Sequence, residues 1–426
     1  MNAKTKNYIS VAGLIVWVCC LVFYLYEFFL RTFVGTVAQN IIHDLHLSSE
    51  EFALMGAAYY VTYSMMQIPV GFLTDRFGAK KTVIFAMITC ALSLLLFSIS
   101  QNFVSAFFSR FLMGLGSSFG FVSLLVVITN WFPQHLYATF IGISQFVGTL
   151  GPLLAAGPLV TVLKNSSLGW RSLFIRVSIF GFLFALLMLV LFKSKPRNNL
   201  KELIVLERPK KILLQLGSLF KNKQAWLIGF YSALSYECID FLAAAWGTFY
   251  LQSRGLSLQF AGYTISAGWL GFAVGCPLIT FFSECLKRRK PVLIMCSLIG
   301  ITSTSLITYF ELSSPWLYSM LFFLIGMAAS SLNLGIAIII EHVEISVKAL
   351  ALGFNNGLII LFGAIIPVCT SFLIHLPKDS APTPENFIPA LTFLPGMFLI
   401  ALIIATFFIK ETFCKPQRQS IFLKPN

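Results

Sequence analysis

A chain of 426 residues with 58% hydrophobic and only 11% charged residues lacks the charge that a soluble surface needs, which excludes an ordinary globular domain. Most of it must be solvated by lipid. The net charge of +14 does not point to a nucleic-acid partner, because the basic residues sort by loop instead of gathering in one patch.

A helix needs roughly 20 apolar residues to cross hydrocarbon. Apolar runs between charges predict twelve such helices, near 12–34, 51–73, 81–100, 103–130, 136–160, 172–193, 225–250, 258–283, 291–310, 315–340, 348–374 and 387–409. The predicted fold class is an all-α membrane protein with 12 transmembrane helices. The first run is too long for a cleavable signal segment and has no small-residue cleavage site, so it reads as span 1.

With an even number of spans, the amino terminus, the loops after spans 2, 4, 6, 8 and 10, and the carboxyl tail share one side. That side holds Lys4, Lys6, Arg76, Lys80, Lys81, nine basic residues from Lys193 to Lys223, Lys287, Arg288, Arg289, Lys290, Lys348, Lys410, Lys415, Arg418 and Lys424. The other side holds Lys164, Arg171, Arg254 and Lys378. Positive charge stays inside, so both termini are predicted to be cytoplasmic.

The nine cysteines lie in spans or at cytoplasmic ends without a C-x-x-C pair, so neither a disulfide framework nor a zinc site is indicated, and no cofactor is expected. His43 and His46 are three apart in the first outer loop with no third ligand near, and read as a solvated pair. Asn165-Ser166-Ser167 is a sequon in an outer loop, of consequence only in a host that glycosylates.

The longest polar stretch divides the chain into an amino-terminal bundle (1–193), a Lys-rich cytoplasmic linker (194–223) that suits anionic headgroups, and a carboxyl-terminal bundle with its tail (224–426). The halves repeat. Tyr26-Glu27 falls on Tyr236-Glu237 at an offset of 210, the loop Thr74-Asp75 to Lys81 on Ser283-Glu284 to Lys290 at 209, and Ala138-x-x-x-Gly142-x-x-Gln145 on Ala349-x-x-x-Gly353-x-x-Asn356 at 211. A parallel six-span duplication places a pseudo-twofold axis along the membrane normal and a binding site between the halves, which points to a carrier.

Gly71-Phe72-Leu73-Thr74-Asp75-Arg76-Phe77-Gly78-Ala79-Lys80-Lys81 closely resembles the G-x-L-x-D-R-x-G-x-[RK]-[RK] signature of the major facilitator superfamily, and Arg110-x-x-x-Gly114-x-Gly116 looks like its second motif. With the twelve spans and the central loop, the resemblance covers essentially the whole chain. The run Tyr24 to Arg31, followed by Met66-Gln67-Ile68-Pro69-Val70-Gly71, looks like a bacterial branch that includes the phagosomal nutrient transporters of intracellular bacteria, and is also similar to sugar-acid symporters and lysosomal dipeptide carriers. The resemblance implies alternating access between two six-helix bundles and uptake of a small nutrient.

Ionisable residues at membrane depth are costly, so each is a functional candidate. Glu27 and Arg31 lie one turn apart on span 1 and share a face with Tyr24. Glu237 occupies the equivalent place in span 7, with Asp240 one turn on. Two carboxyls a turn apart in a low-dielectric cavity do not both ionise easily, so the expected proton-coupling groups are Glu27, Glu237 and Asp240, with Glu27 held ionised by Arg31 and the span 7 acids freer to titrate. A gating or structural role for Glu27-Arg31, with Asp240 facing water, is the alternative. Arg110, the arginine of the second motif, is a candidate partner for a substrate carboxylate or for Glu27. Arg176, after Gly169-Trp170-Arg171, is expected to snorkel to the outer interface.

Tyr59, Tyr63, Met66 and Gln67 form one face of span 2 with hydrogen-bonding tips. Tyr236, Trp246, Trp269, Gln145, Asn333, Asn355 and Asn356 are the other amphipathic candidates at depth, and the amides carry more weight than the aromatics because burying one unpaired costs about 1–3 kcal/mol. In the span 2 motif, Gly71 and Gly78 suggest close helix approach and Asp75 a cap on a neighbouring helix, and the resemblance implies a cytoplasmic latch that includes Arg76 and Lys80. The second copy keeps Glu284, Arg289 and Lys290 but has Cys285 and Lys287 in place of Arg76 and Gly78. The acid expected at the end of span 4 is Asn130, whereas its repeat partner is Glu341, with Glu344 nearby, so Glu284, Arg289 and Glu341 are predicted to form the fuller latch. Solvated loop acids are the alternative. In span 5, Gly142 and Gly148-Thr149-Leu150-Gly151-Pro152 resemble an antiporter motif only loosely and read as packing glycines.

These readings predict a non-enzymatic carrier that is not driven by ATP, since it lacks a Walker motif: a monomer in a bacterial inner membrane that takes up an amino acid, short peptide or organic acid together with protons. Export of a drug or siderophore is the competing carrier reading, and a nontransporting sensor or channel the reading from another class.

Overall fold

The computed structural model describes residues 10–133, 136–165, 169–193, 217–343, 347–374 and 383–414; Glu344 and most of the central linker lie outside them. Among the described residues the elements are helical, as hydrocarbon requires of a chain that must satisfy every backbone group internally. Among the described residues ten helices are long and apolar enough to cross a membrane, and Thr139–Ala155 with Gly157–Asn165, bent by 41°, makes an eleventh. Ser49–Phe77, 29 residues long, completes the twelve. Its Glu50, Glu51, Asp75 and Arg76 are confined to its two ends, and its start is fixed by a capping box between Ser48 and Glu51.

The spans are numbered here as 1 (Val11–Thr36), 2 (Ser49–Phe77), 3 (Ala79–Ser98), 4 (Phe103–Trp131), 5 (the bent pair), 6 (Trp170–Leu191), 7 (Lys223–Ser253), 8 (Leu258–Leu286), 9 (Lys290–Tyr309), 10 (Pro315–His342), 11 (Lys348–Ser371) and 12 (Ile388–Phe408). In the first half span 1 packs on 5, 2 on 4, and 3 on 4 and 6; in the second, 7 packs on 11, 8 on 10, and 9 on 10 and 12. Between the halves span 2 lies along 11 and span 5 along 8, two contacts that the repeat makes equivalent.

Apolar attraction does not separate helix from lipid, so close approach through small residues holds the bundles. A Cβ on Gly114 of span 4 would overlap the Tyr59 carbonyl of span 2, and one on Gly326 of span 10 would overlap the Gly268 carbonyl of span 8. Both spans break at the same level, between Phe103–Ser117 and Phe119–Trp131 and between Pro315–Ala329 and Leu332–His342. Span 7 carries a π-helical segment, Leu242–Trp246, directly after Asp240-Phe241.

The motif turns correct part of the sequence reading. A Cβ at Gly71 or Gly78 would meet nothing within 4 Å, so neither mediates close packing. Gly78 instead supplies a φ of 83° where span 2 ends, and Lys287 takes φ 52° at the matching turn. Lys80 Nζ donates to the Leu189 carbonyl at 2.8 Å, Arg76 is exposed over Phe77, and the Asp75 side chain lies outside the described set. Of the span 5 glycines, Gly148 packs on Tyr24 and Gly151 on the Leu25 carbonyl, whereas Gly142 meets nothing within 4 Å.

At the second turn Arg289 Nη2 meets Glu341 Oε1 at 2.8 Å, and Arg289 Nη1 donates to Ser283 Oγ at 3.1 Å. Glu284 is exposed and makes none of these bonds, a departure from the expected trio. Its place is taken by the segment after span 12. Glu411 accepts from the amides of Arg289 and Lys290 at 2.8 and 3.0 Å, capping span 9, while Thr412 donates to Glu341. Burial works to raise the Glu411 carboxyl, but the amides of Arg289, Lys290, Phe413 and Thr412 hold it below the usual range. Asn130 is half-buried at the matching end of span 4.

Candidate functional site

The deepest charged residues lie where spans 1 and 7 meet. Glu27 is wholly buried against Gly120 of span 4; its Oε2 lies 3.6 Å from Arg31 Nη2 and accepts from the Tyr59 hydroxyl at 3.3 Å. The helical spacing of one turn brings the pair onto one face, as the sequence suggests. Arg31 then crosses to the other half, donating from Nη1 to the Tyr236 hydroxyl at 3.4 Å. Its guanidinium sits over the rings of Phe28 and Tyr63 at 4.3 and 4.9 Å. Among the described residues Arg31 Nε finds no hydrogen-bond partner, and the contacts of Nη1 to Tyr236 and Nη2 to Glu27 are long.

Span 7 supplies the facing wall. Glu237 is 1% exposed and Asp240 2%, and neither oxygen of Glu237 nor Oδ1 of Asp240 accepts a hydrogen bond among the described residues. Tyr60 of span 2 is also buried, its hydroxyl near Asp240, and its ring packs where Gly363 of span 11 leaves room. Tyr236 is braced edge-on by Trp269 and Phe272 of span 8. Three buried acids and two buried guanidiniums, Arg31 and Arg110, form an arrangement that tertiary packing must sustain against a large desolvation cost.

Two hydrogen-bonded pairs, one phenol with amide and one amide with amide, flank this cluster. The Tyr24 hydroxyl donates to Gln145 Oε1 at 2.6 Å within the first half. Asn356 Nδ2 donates to Gln67 Oε1 at 2.7 Å between the halves, next to a bond from Ser64 Oγ to the Gly357 carbonyl at 2.8 Å. Gln145 and Asn356 are each half-buried.

Other sequence candidates lie elsewhere. Arg110 does not meet Glu27: its Nη1 donates to the Leu30 carbonyl at 2.8 Å and its Nη2 to the Arg31 carbonyl at 3.5 Å. The phase of span 4 aims it at the backbone of span 1, so it positions Arg31 from behind. Arg176 is exposed on span 6. Asn355 is buried beside Gly229 with its carbonyl oxygen unpaired, Trp246 packs on Phe52, and Asn333 donates to Cys276 Sγ at 2.9 Å. Met66 is a partly buried packing residue. His43 lies 3.3 Å from Asp44, and Asn165 ends its helix. Sequence reasoning missed Tyr60, which shares span 2 with the chosen tyrosines but points at the other half, and Ser266.

Toward the face opposite the motif turns the halves close on each other. Gly35 of span 1 lies so near the π segment of span 7 that a Cβ would overlap the Ala243 carbonyl. Ser266 of span 8 fills the bend of span 5, accepting from the Gly157 amide at 3.0 Å and donating to the Leu153 carbonyl at 2.9 Å. Gln39 and Gln252 join the halves at 2.9 Å.

The chain is similar to proteins with this architecture. It is 27% identical to the hexuronate transporter of Bacillus subtilis over 311 residues, covering 68% of this chain and 73% of that one. It is 29% identical to a probable galactarate/D-glucarate transporter of the same organism, covering 91% and 90%. The crystal structure of a D-xylose-proton symporter superposes with a TM-score of 0.74 at 14% identity, covering 94% of this chain and 99% of that one, which establishes a shared fold. Residues 16–342 match the family model described as Major Facilitator Superfamily, and the chain, a multi-pass membrane transporter, belongs to that superfamily.

Proposed function

We propose that the chain takes up a small organic anion together with protons, with the motif turns facing the cytoplasm of a bacterial cell. The observation that carries this reading is Arg31, buried between the halves, held by contacts of 3.4 and 3.6 Å, with the buried acids Glu237 and Asp240 on the span that supplies its Tyr236 contact. A guanidinium with spare donors suits a carboxylate, which it can grip with two parallel bonds. The relatives named for hexuronate and for galactarate/D-glucarate support an organic acid over an amino acid or a peptide.

Glu237 and Asp240 supply the coupling. A carboxyl buried without a donor is far cheaper to hold with its proton than without it, so binding and release of a proton bias how the two halves pack. Substrate on Arg31 competes with Glu27 for the guanidinium and ties the anion to the same element. The contacts of Gly35 and Ser266 seal one face, and alternating access exchanges that seal for one at the motif face.

Uptake of labelled organic acids into proteoliposomes under an inward proton gradient tests the reading. Accumulation should collapse with an uncoupler, Arg31→Ala should abolish uptake, and Glu237→Gln should lose accumulation while retaining counterflow. Accumulation by Glu237→Gln equal to wild type would overturn the assignment of the coupling group.

A further inference from the structure

Between the buried acids and the face opposite the motif turns, the two halves leave a narrow slot. On the proton-coupled reading above, we propose that protons enter through this slot, by a route separate from the substrate's, and that the Tyr60 hydroxyl is the last relay to Asp240.

The slot lies between spans 1 and 2 of one half and spans 7 and 11 of the other. Phe52, Gly56 and Tyr60 line it at successive turns of span 2, so it follows one face of that helix inward from near its start at Ser49. Tyr60 lies roughly 16 Å along the axis from Ser49. Ala244 and Ala245, in the π segment of span 7, and Gly363 of span 11 form the opposite wall. A Cβ on Gly56 would meet nothing within 4 Å, whereas one on Gly363 would strike the Tyr60 ring, so the slot is open at Gly56 and stops at Tyr60. Its volume open to a water molecule is about 20 Å³, room for a water and far too little for an organic acid. The wider passage is shut at this level, where Gly35 of span 1 abuts the Ala243 carbonyl.

Every lining residue but Tyr60 is apolar or glycine, so no group along the slot holds a proton before the phenol. Tyr60 is 3% exposed, and Asp240 lies near its hydroxyl with Oδ1 accepting no hydrogen bond among the described residues. A proton arriving on water at the inner end passes to the phenol oxygen while the phenol's own proton moves to the Asp240 carboxylate. One proton enters, one is delivered, and Tyr60 ends neutral. The groups around Asp240 are Tyr236 and Glu237 on its own span, Arg31 from span 1 and Arg110 from span 4. The guanidiniums belong to the first half and the acids to the second, so a proton on Asp240 changes the attraction between halves and biases how they pack.

Transport into proteoliposomes tests the route with two variants. Tyr60→Phe removes the relay and keeps the ring; Gly56→Leu fills the slot one turn short of it. Labelled D-glucuronate and D-glucarate serve as probes. Under an inward proton gradient the initial rate of accumulation should fall at least about fivefold in each variant, while counterflow without a gradient stays within about twofold of wild type. Accumulation at the wild-type rate in both variants would overturn the proposal and leave proton-coupled uptake standing. Parallel loss of counterflow and accumulation in both would also overturn it, since the slot would then be structural. Loss of accumulation in Tyr60→Phe alone would keep the relay and refute the slot as the route. A wild type that exchanges either acid but shows no uncoupler-sensitive accumulation would refute the proton-coupled reading itself.

Discussion

Arg31 of span 1 donates to the Tyr236 hydroxyl of span 7 at 3.4 Å, the polar contact that joins the two halves at the level of the buried acids. Tyr236→Phe keeps the ring against Trp269 and Phe272 and removes only the acceptor. Loss of one long hydrogen bond to a charged group is worth about 1 kcal/mol, so KM for the substrate should change by about three- to tenfold with kcat nearly constant. Arg31→Lys keeps the charge but not the fork, and initial uptake rates should fall more than tenfold.

The glycines at the span crossings are not equivalent. Gly114→Ala and Gly326→Ala each push a methyl into a carbonyl of the partner helix and should lower the thermal midpoint in detergent by several degrees, since overpacking costs about 1–3 kcal/mol. Gly71→Ala meets nothing within 4 Å and should leave the midpoint within about a degree. Thermal unfolding of the three variants side by side checks the difference.

At the motif face the second half holds the fuller charge set. Arg289 and Glu341 are 7% and 11% exposed and 2.8 Å apart, so Glu341→Ala strands a mostly buried guanidinium. It should reduce transport severalfold, whereas Asn130→Ala at the matching position should cost less than twofold. Equal losses would contradict the asymmetry.

Glu411 links this clasp to pH. Its carboxyl is held below the ordinary range in the fold, so its contribution is fully present above the unfolded value and is lost as pH falls through the folded one. Thermal stability should therefore drop on acidification below the ordinary carboxylate range, and Glu411→Gln should flatten that limb while lowering stability at neutral pH. Melting curves across an acid series read this directly.

The architecture is legible because lipid allows so few solutions. Twelve apolar runs, a motif turn and a repeat at a nearly constant offset are all local features. The π segment after Phe241 is not, because its residues are as apolar and as helix-compatible as the rest, whereas the breaks at Ser118 and Ser330-Ser331 fall on Ser-Ser pairs that occur in both halves. Span 5 runs on to Asn165, past its expected end, because a bend and not a charge interrupts it. Within the site, Glu27, Arg31, Glu237 and Asp240 announce themselves as charges in apolar runs. The direction of Arg110 does not, since it depends on the phase of span 4 against span 1, and neither does Glu411, which sits in a polar tail with no periodicity.

The most direct test of the account is the ratio of organic acid inside to outside proteoliposomes under an imposed inward proton gradient, measured with and without an uncoupler. The account predicts accumulation above the external concentration that collapses to equilibrium with the uncoupler and is absent in Glu237→Gln. Accumulation that persists after the gradient is dissipated, or an equal ratio in the variant, would contradict proton-coupled uptake through span 7.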